Sequence, residues 1–192
     1  MQFHSAGRED ADVRMLDCDG PGRQFCLECI DLKYPLVVGM FGEVLERIEA
    51  SGSGVGVEGL RVCGGEVWSG LQKDTEGKVK HYGCVCWSEV ALSDEVIARV
   101  EEAGRAGIPI EQWTPVRVLH RRSDLMRERV VHRVKVERIN GHWFKCWVST
   151  QAGTYVKEFV TGDGGRTTPS LAGMIGGKCD ILQLDCTGIE MD

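Results

Sequence analysis

The sequence predicts an α+β domain with a mixed, mainly antiparallel central sheet flanked by helices. Runs rich in Val, Ile, Phe, Trp and Cys recur between Gly- and Asn-containing turns, as strands do. About three stretches with apolar residues at three- and four-residue spacing lie among them, without the regular alternation of a parallel α/β chain. At 192 residues the chain is long enough to bury most of its apolar surface unaided, so one domain over 1–192 is expected.

Taken in order, Phe25 to Asp31 reads as a strand. Leu36 to Ile48 has helical spacing (Val37, Phe41, Val44, Leu45, Ile48), with Pro35 suited to its first turn and Ser51-Gly52 to its end. The glycines of Ser51-Gly52-Ser53-Gly54-Val55-Gly56 follow a helix rather than a strand, which argues against a nucleotide loop. Val55 to Trp68 and Lys78 to Val90 read as two strands around Lys73-Asp74-Thr75-Glu76-Gly77. Ser93-Asp94-Glu95 caps a helix carrying Val96, Ile97 and Val100, which stops near Gly104 or Gly107. Val130 to Ile139 and His142 to Thr150 form a hairpin, and Asn140-Gly141 is the signal for a tight two-residue turn. Thr168-Pro169 starts a short helix through Met174, and Cys179 to Ile189 is a closing strand.

Composition excludes some functions. No apolar run reaches membrane-spanning length, and Met1 to Ser5 has neither the basic nor the apolar region of a secretory signal. The expectation is therefore an intracellular protein of the cytoplasm or nucleus. Nine cysteines without a signal favour reduced thiols over a disulfide framework. Cys26 and Cys29, three apart on a strand, point to opposite faces, so no metal site is expected there; zinc or redox chemistry is a weak third reading. The net charge is −6, yet Val116 to Arg138 holds eight Lys/Arg against three acids, a local +5. Such a stripe suits a surface that meets phosphates on one face, or is simply a solvated strand and loop.

Two segments carry candidate chemistry. Gly7-Arg8-Glu9-Asp10-Ala11-Asp12-Val13-Arg14 places carboxylates in a loop among charges. Far downstream, Gln151-Ala152-Gly153-Thr154-Tyr155-Val156-Lys157-Glu158-Phe159 is a small-residue turn leading into aromatic, apolar and cationic side chains. Read as a strand, the second segment puts Tyr155 and Lys157 on one face.

These residues resemble the catalytic domain of the archaeal and eukaryotic tRNA pseudouridine-54/55 synthases. The resemblance runs in order from about Phe3 to the C-terminus. It is carried by Gly7 to Leu16 with Gly22-Arg23, by Trp113-Thr114-Pro115-Val116-Arg117-Val118-Leu119-His120-Arg121-Arg122, by Gln151 to Phe159 with Gly162-Asp163-Gly164-Gly165-Arg166-Thr167-Thr168-Pro169, and by Asp180 to Asp185. It implies a pseudouridine synthase fold, tRNA as partner and no cofactor.

The resemblance also implies site residues. Arg8-Glu9-Asp10 matches the superfamily's R-x-D-type loop, which makes Asp10 the nucleophile. Asp12 is the rival, although the superfamily has a small residue where it stands. Lys157 is implied as the cation partner of the aspartate. Tyr82, after Lys80-His81, resembles the aromatic that stacks on the flipped uracil, and Tyr155, Arg14, Arg121, Arg122 and Arg166 are implied substrate-binding residues. Gly164 replaces a family aromatic, Thr168 replaces a lysine, and Asp17-Cys18-Asp19 lengthens a turn. The family carries a large N-terminal RNA-binding region ahead of this domain, so a separate RNA-binding subunit or a missing N-terminal region is expected. The function implied is isomerisation of uridine 54, 55 or both in the TΨC arm. The alternative is a catalytically weak RNA-binding or tRNA-chaperone module of the same fold.

Overall fold

The structure is a computed structural model that describes residues 1–16, 22–35, 37–73 and 77–189; the side chains of residues 68, 69, 72 and 73 are outside that description. Its elements, in chain order, are β1 (Gln2–Ser5), β2 (Arg14–Met15), β3 (Phe25–Glu28), α1 (Met40–Ala50), α2 (Gly65–Lys73), β4 (Val79–Ser88), α3 (Asp94–Ala106), β5 (Ile108–Trp113), β6 (Met126–Arg138), β7 (Trp143–Gln151), α4 (Val156–Thr161), β8 (Thr167–Thr168), α5 (Leu171–Ile175) and β9 (Cys179–Ile189). They fall into two compact units, Met1–Arg8 with Asp19–Thr75, and Glu9–Cys18 with Glu76–Asp192.

In the first unit β1 and β3 form an antiparallel ribbon, with Phe3 stacked on Phe25 at 5.5 Å between ring centroids. Cys29 lies just past the end of β3. Helix α1 starts at Met40, later than expected, because Val37 and Val38 form a turn that accepts the Met40 and Phe41 N–H groups. Leu36 lies outside the described residues. The expected strand from Val55 to Trp68 is absent: Gly54 and Gly59 have φ of +72° and +66°, which interrupt extended backbone, and helix α2 begins at Gly65. Val67 and Leu71 repeat at four residues, a helical spacing rather than a strand's.

The second unit is built on a seven-stranded sheet of order β2-β9-β4-β7-β6-β5-β8. Among the described residues only the β2–β9 pair is parallel. This is the mixed, mainly antiparallel sheet the sequence predicts. Strand β4 shows why it sits at the centre: Lys80, Tyr82, Cys84, Cys86 and Ser88 alternate onto the buried face. Phe144, Cys146 and Val148 of β7 share that face, and Val100 of α3, Phe159 and Val160 of α4 and Leu171 of α5 cover it.

Ser93 caps α3 by accepting the Val96 N–H, and Gly107 ends it at φ +81°, both as expected. Gly104 lets α3 lie against β6, since a Cβ there would come within 2.6 Å of the Val134 nitrogen. The β6–β7 connection departs from the tight turn expected. Neither Asn140 nor Gly141 adopts the positive φ that such a turn needs. Instead the Asn140 side-chain oxygen accepts the His142 and Trp143 N–H groups at 2.9 Å each, building a longer loop. Helix α5 is capped by Ser170, so it begins after Pro169 rather than at Thr168. Strand β9 has the bounds the sequence predicts.

Among the described residues the cysteines form no disulfide. Cys86 and Cys146 are fully buried in the core; the neighbouring Cys84 thiol, then burial, push the Cys86 thiol up, and burial pushes up Cys146. No described helix is long and apolar enough to cross a membrane.

Candidate active site

Three pieces of the second unit converge around one carboxylate. The first is the loop before β2, where the Val13 N–H closes a turn on the Asp10 carbonyl at 3.0 Å. The second is a 3-10 turn, Val116–Val118, whose Val116 N–H donates to Asp163 Oδ2 at 3.0 Å. The third is the start of α4.

That start corrects one expectation. Tyr155 and Lys157 do not share a strand. Strand β7 stops at Gln151, Gly153 turns at φ +80°, and Thr154 N–H and Oγ1 both donate back to the Gln151 carbonyl. Tyr155 is then the residue before α4, and Lys157 sits in the helix's first turn. The cause is the apolar spacing: Val156, Phe159 and Val160 recur at i, i+3 and i+4 and are all buried. Buried Gln112 of β5 fixes the junction, accepting the Tyr155 N–H at 2.7 Å and donating to the Tyr155 carbonyl at 3.0 Å.

Asp10 is held between two cations. Arg117 Nη2 lies 2.8 Å from Asp10 Oδ2, and Lys157 Nζ lies 3.5 Å from the same oxygen. About a third of the Asp10 side chain, 34 %, remains open to solvent. Lys157 makes its shorter contacts to Asp12, at 2.6 and 2.7 Å. That hydrogen bond holds the Asp12 carboxyl below its ordinary 3.8. Asp12 is 71 % exposed, so it faces water with Lys157 behind it.

Arg117 joins the two groups of the site. Its Nε donates to Glu158 Oε1 at 2.7 Å, and its guanidinium carbon lies 5.9 Å from the Tyr155 ring centre. Burial lowers its proton affinity, but Glu158 and Asp10 together outweigh burial and the net shift is upward. The guanidinium stays charged. On the sequence it is one cation of a stripe; the fold takes it out of the stripe and places it on Asp10.

Glu9, beside Asp10, has a different setting. Its carboxylate accepts from Lys80 Nζ at 2.7 Å and from the Tyr82 hydroxyl at 3.2 Å. The ion pair is enclosed, at 7 % exposure for Lys80 and 14 % for Glu9. Tyr82 is itself buried in the core, its hydroxyl turned to Glu9, whereas the half-buried Tyr155 ring is the aromatic beside the Arg117–Asp10 pair.

The other residues named on the sequence are placed as follows. Arg14 grips Asp185 of β9 through Nε and Nη2 at 2.7 and 2.8 Å, which with Gln183 holds the Asp185 carboxyl below its ordinary value. Arg122 donates to the Tyr155 hydroxyl at 2.9 Å. Arg121 is exposed on the same turn. Arg166 donates to the Thr114 carbonyl, pairs with Asp124 and lies over Trp113, so it ties loops together. Further along the basic stripe, Lys135 sits over Trp147 and Arg138 pairs with Asp94. The Asp17-Cys18-Asp19 turn lies outside the described residues. Among the described residues no group of three His, Cys, Asp or Glu could hold a metal ion.

A family model for the Pus10 C-terminal region matches residues 1–190. The chain belongs to the Pus10 C-terminal family. Its relatives include the proteins named tRNA pseudouridine synthase Pus10 of Xenopus laevis, 35 % identical over 99 % of this chain and 36 % of that one, and of Homo sapiens, 35 % identical over 99 % and 35 %. The archaeal Pus10 of Thermofilum pendens is 37 % identical over 98 % of this chain and 41 % of its own. The chain thus spans between a third and a little over two fifths of the length of these curated relatives. A chain in a solved Cbf5-Nop10-Gar1 complex is similar over 65 % of this chain and 34 % of its own, with 20 % identity and a TM-score of 0.48.

Proposed function

We propose that this chain is the catalytic region of a tRNA pseudouridine synthase, acting on uridine 54, uridine 55 or both in the TΨC arm, with Asp10 as the nucleophile. The single observation that carries the assignment of Asp10 is its setting: a carboxylate touched by Arg117 and Lys157, with a third of its side chain open, one residue from a carboxylate that is enclosed. The names of the family's members supply the reaction and the substrate.

The reaction asks for what this site holds. The bond from the ribose C1′ to uracil N1 breaks, a bond from C1′ to C5 forms, C5 gives up its proton and N1 gains one. The isomerisation balances without an oxidant or reductant. A carboxylate acting as nucleophile has to stay ionised once the base covers it, and two cations at Asp10 offset that loss of water. The target base must leave its stack, at a cost of a few kcal/mol. Stacking on Tyr155, whose ring lies beside the Arg117 guanidinium, would return about 1–3 kcal/mol. Arg121 and Arg122, on the same turn as Arg117, are placed to meet the RNA backbone, which makes binding salt-dependent. Joint action of both units as one catalytic domain is part of this proposal.

Mapping pseudouridine in an unmodified tRNA transcript after incubation with the chain tests the reading. New pseudouridine in the TΨC arm is the expected outcome. No conversion, with salt-sensitive binding retained, would favour the tRNA-chaperone alternative instead.

A further inference from the structure

Glu158 is the buried acid of the site. It is the third residue of α4, only 4 % exposed, and its Oε1 accepts from Arg117 Nε. Its Oε2 is buried without a hydrogen-bond partner among the described residues. A buried carboxylate with one oxygen unsatisfied is costly, and such groups in folded proteins call for a reason. Packing supplies none, because an apolar side chain at this position of α4 would face the same core without that cost.

The geometry around Arg117 supplies one. A single guanidinium engages two carboxylates through different nitrogens: Nε donates to Glu158, and Nη2 makes an ion pair with Asp10 at 2.8 Å. The planar fork cannot turn about its own axis while Nε is held, so Glu158 sets where Nη2 points. The free alternatives matter here. Arg117 is 36 % exposed on a turn that also carries Arg121 and Arg122, and an incoming phosphate backbone competes for any mobile guanidinium.

We propose that Glu158 is a positioning residue for the reaction: acting through Arg117, it fixes the Asp10 carboxylate and keeps that cation from being drawn onto tRNA phosphate. The proposal rests on the reading of Asp10 as the reactive group.

Three variants test it, read by steady-state kinetics, melting temperature and the Arg117 Nε–H resonance. Glu158→Gln keeps an acceptor for Nε but loses the charge; Glu158→Ala loses both; Arg117→Lys identifies the Arg117 Nε–H resonance by its disappearance. In Glu158→Ala, kcat on a tRNA transcript is expected to fall by about 10–100-fold, as when a partner that orients a reactive group is removed. The KM for tRNA is expected to stay within about threefold, because the lost contact serves the reaction rather than binding. Glu158→Gln is expected to recover part of kcat with an unchanged melting temperature. The Arg117 Nε–H signal is expected to be sharp in the unaltered protein, to broaden or move in Glu158→Ala and to be partly restored in Glu158→Gln. Should Glu158→Ala fail to fold, Glu158→Gln alone decides, with kcat lowered and KM unchanged. Unchanged kcat in Glu158→Gln and Glu158→Ala, a loss confined to KM, or an unmoved Arg117 signal would each overturn the proposal. If the unaltered chain forms no pseudouridine, the functional reading fails, and the resonance still shows whether Glu158 holds Arg117.

Discussion

Glu9 and Asp10 are neighbours with the same charge and opposite surroundings. Glu9 is enclosed by buried Lys80 and Tyr82 of the central strand β4, while Asp10 lies a third open between Arg117 and Lys157. One fastens the loop to the sheet and the other is presented from it. A loop becomes a reliable place for a reactive group when the residue before that group is given up to anchoring. Having a cation as partner does not distinguish the two roles. What distinguishes them is how much of the carboxylate is left for a substrate to meet.

Altering each carboxylate in turn separates the two roles. The largest effect is expected from Asp10→Asn, which should lower pseudouridine formation by at least about a thousandfold, as removal of a nucleophile does, with no loss of stability. Single-turnover assays with parallel melting curves measure both. Glu9→Ala should differ by losing stability as well as activity. It strands the enclosed ammonium of Lys80 and is expected to cost about 3 kcal/mol in urea unfolding, with activity lost because the loop is no longer fastened. Equal stability in Glu9→Ala and unaltered protein would remove the anchor from the explanation. A smaller effect is expected from Lys157→Ala, where Arg117 still faces Asp10: kcat should fall about tenfold, and Asp12→Asn should cost less than that.

The smallest effect is on acid stability. Asp12 and Asp185 have carboxyls held below their ordinary 3.8, by Lys157 and by Arg14 respectively. A folded-state value lower than the unfolded one favours the folded state above 3.8, and that contribution fades as pH drops through the lowered values. Asp185→Asn should therefore flatten the loss of stability as pH falls below about 4 in urea titrations, while changing little of the reaction rate.

Much of this arrangement can be read along the chain, and the unreadable parts have physical causes. Strand β9, helix α3 and strands β4, β6 and β7 follow from residues that repeat at two or at three to four, with a serine cap and a glycine stop. Helix α4 had a readable signal in buried Val156, Phe159 and Val160, but the two-residue spacing of Tyr155 and Lys157 mimics a strand. Helix α2 is obscured by the glycines before it. The partners Arg117 and Glu158 were not legible. Arg117 stands among many cations, and only folding decides which of them reaches Asp10. Glu158 reads as an ordinary polar helix residue, since neither its burial nor its pairing is a local property. The roles of Glu9 and Lys80 were hidden for the same reason: each is charged on paper and enclosed only once β4 lies beside the loop.

The most direct measurement compares Asp10→Asn, Asp12→Asn and the unaltered chain on one unmodified tRNA transcript, with pseudouridine mapped at single-nucleotide resolution. The unaltered chain and Asp12→Asn are expected to convert uridine in the TΨC arm, and Asp10→Asn to leave it unchanged while still binding the RNA. Conversion that persists in Asp10→Asn and disappears in Asp12→Asn would contradict the assignment of the nucleophile.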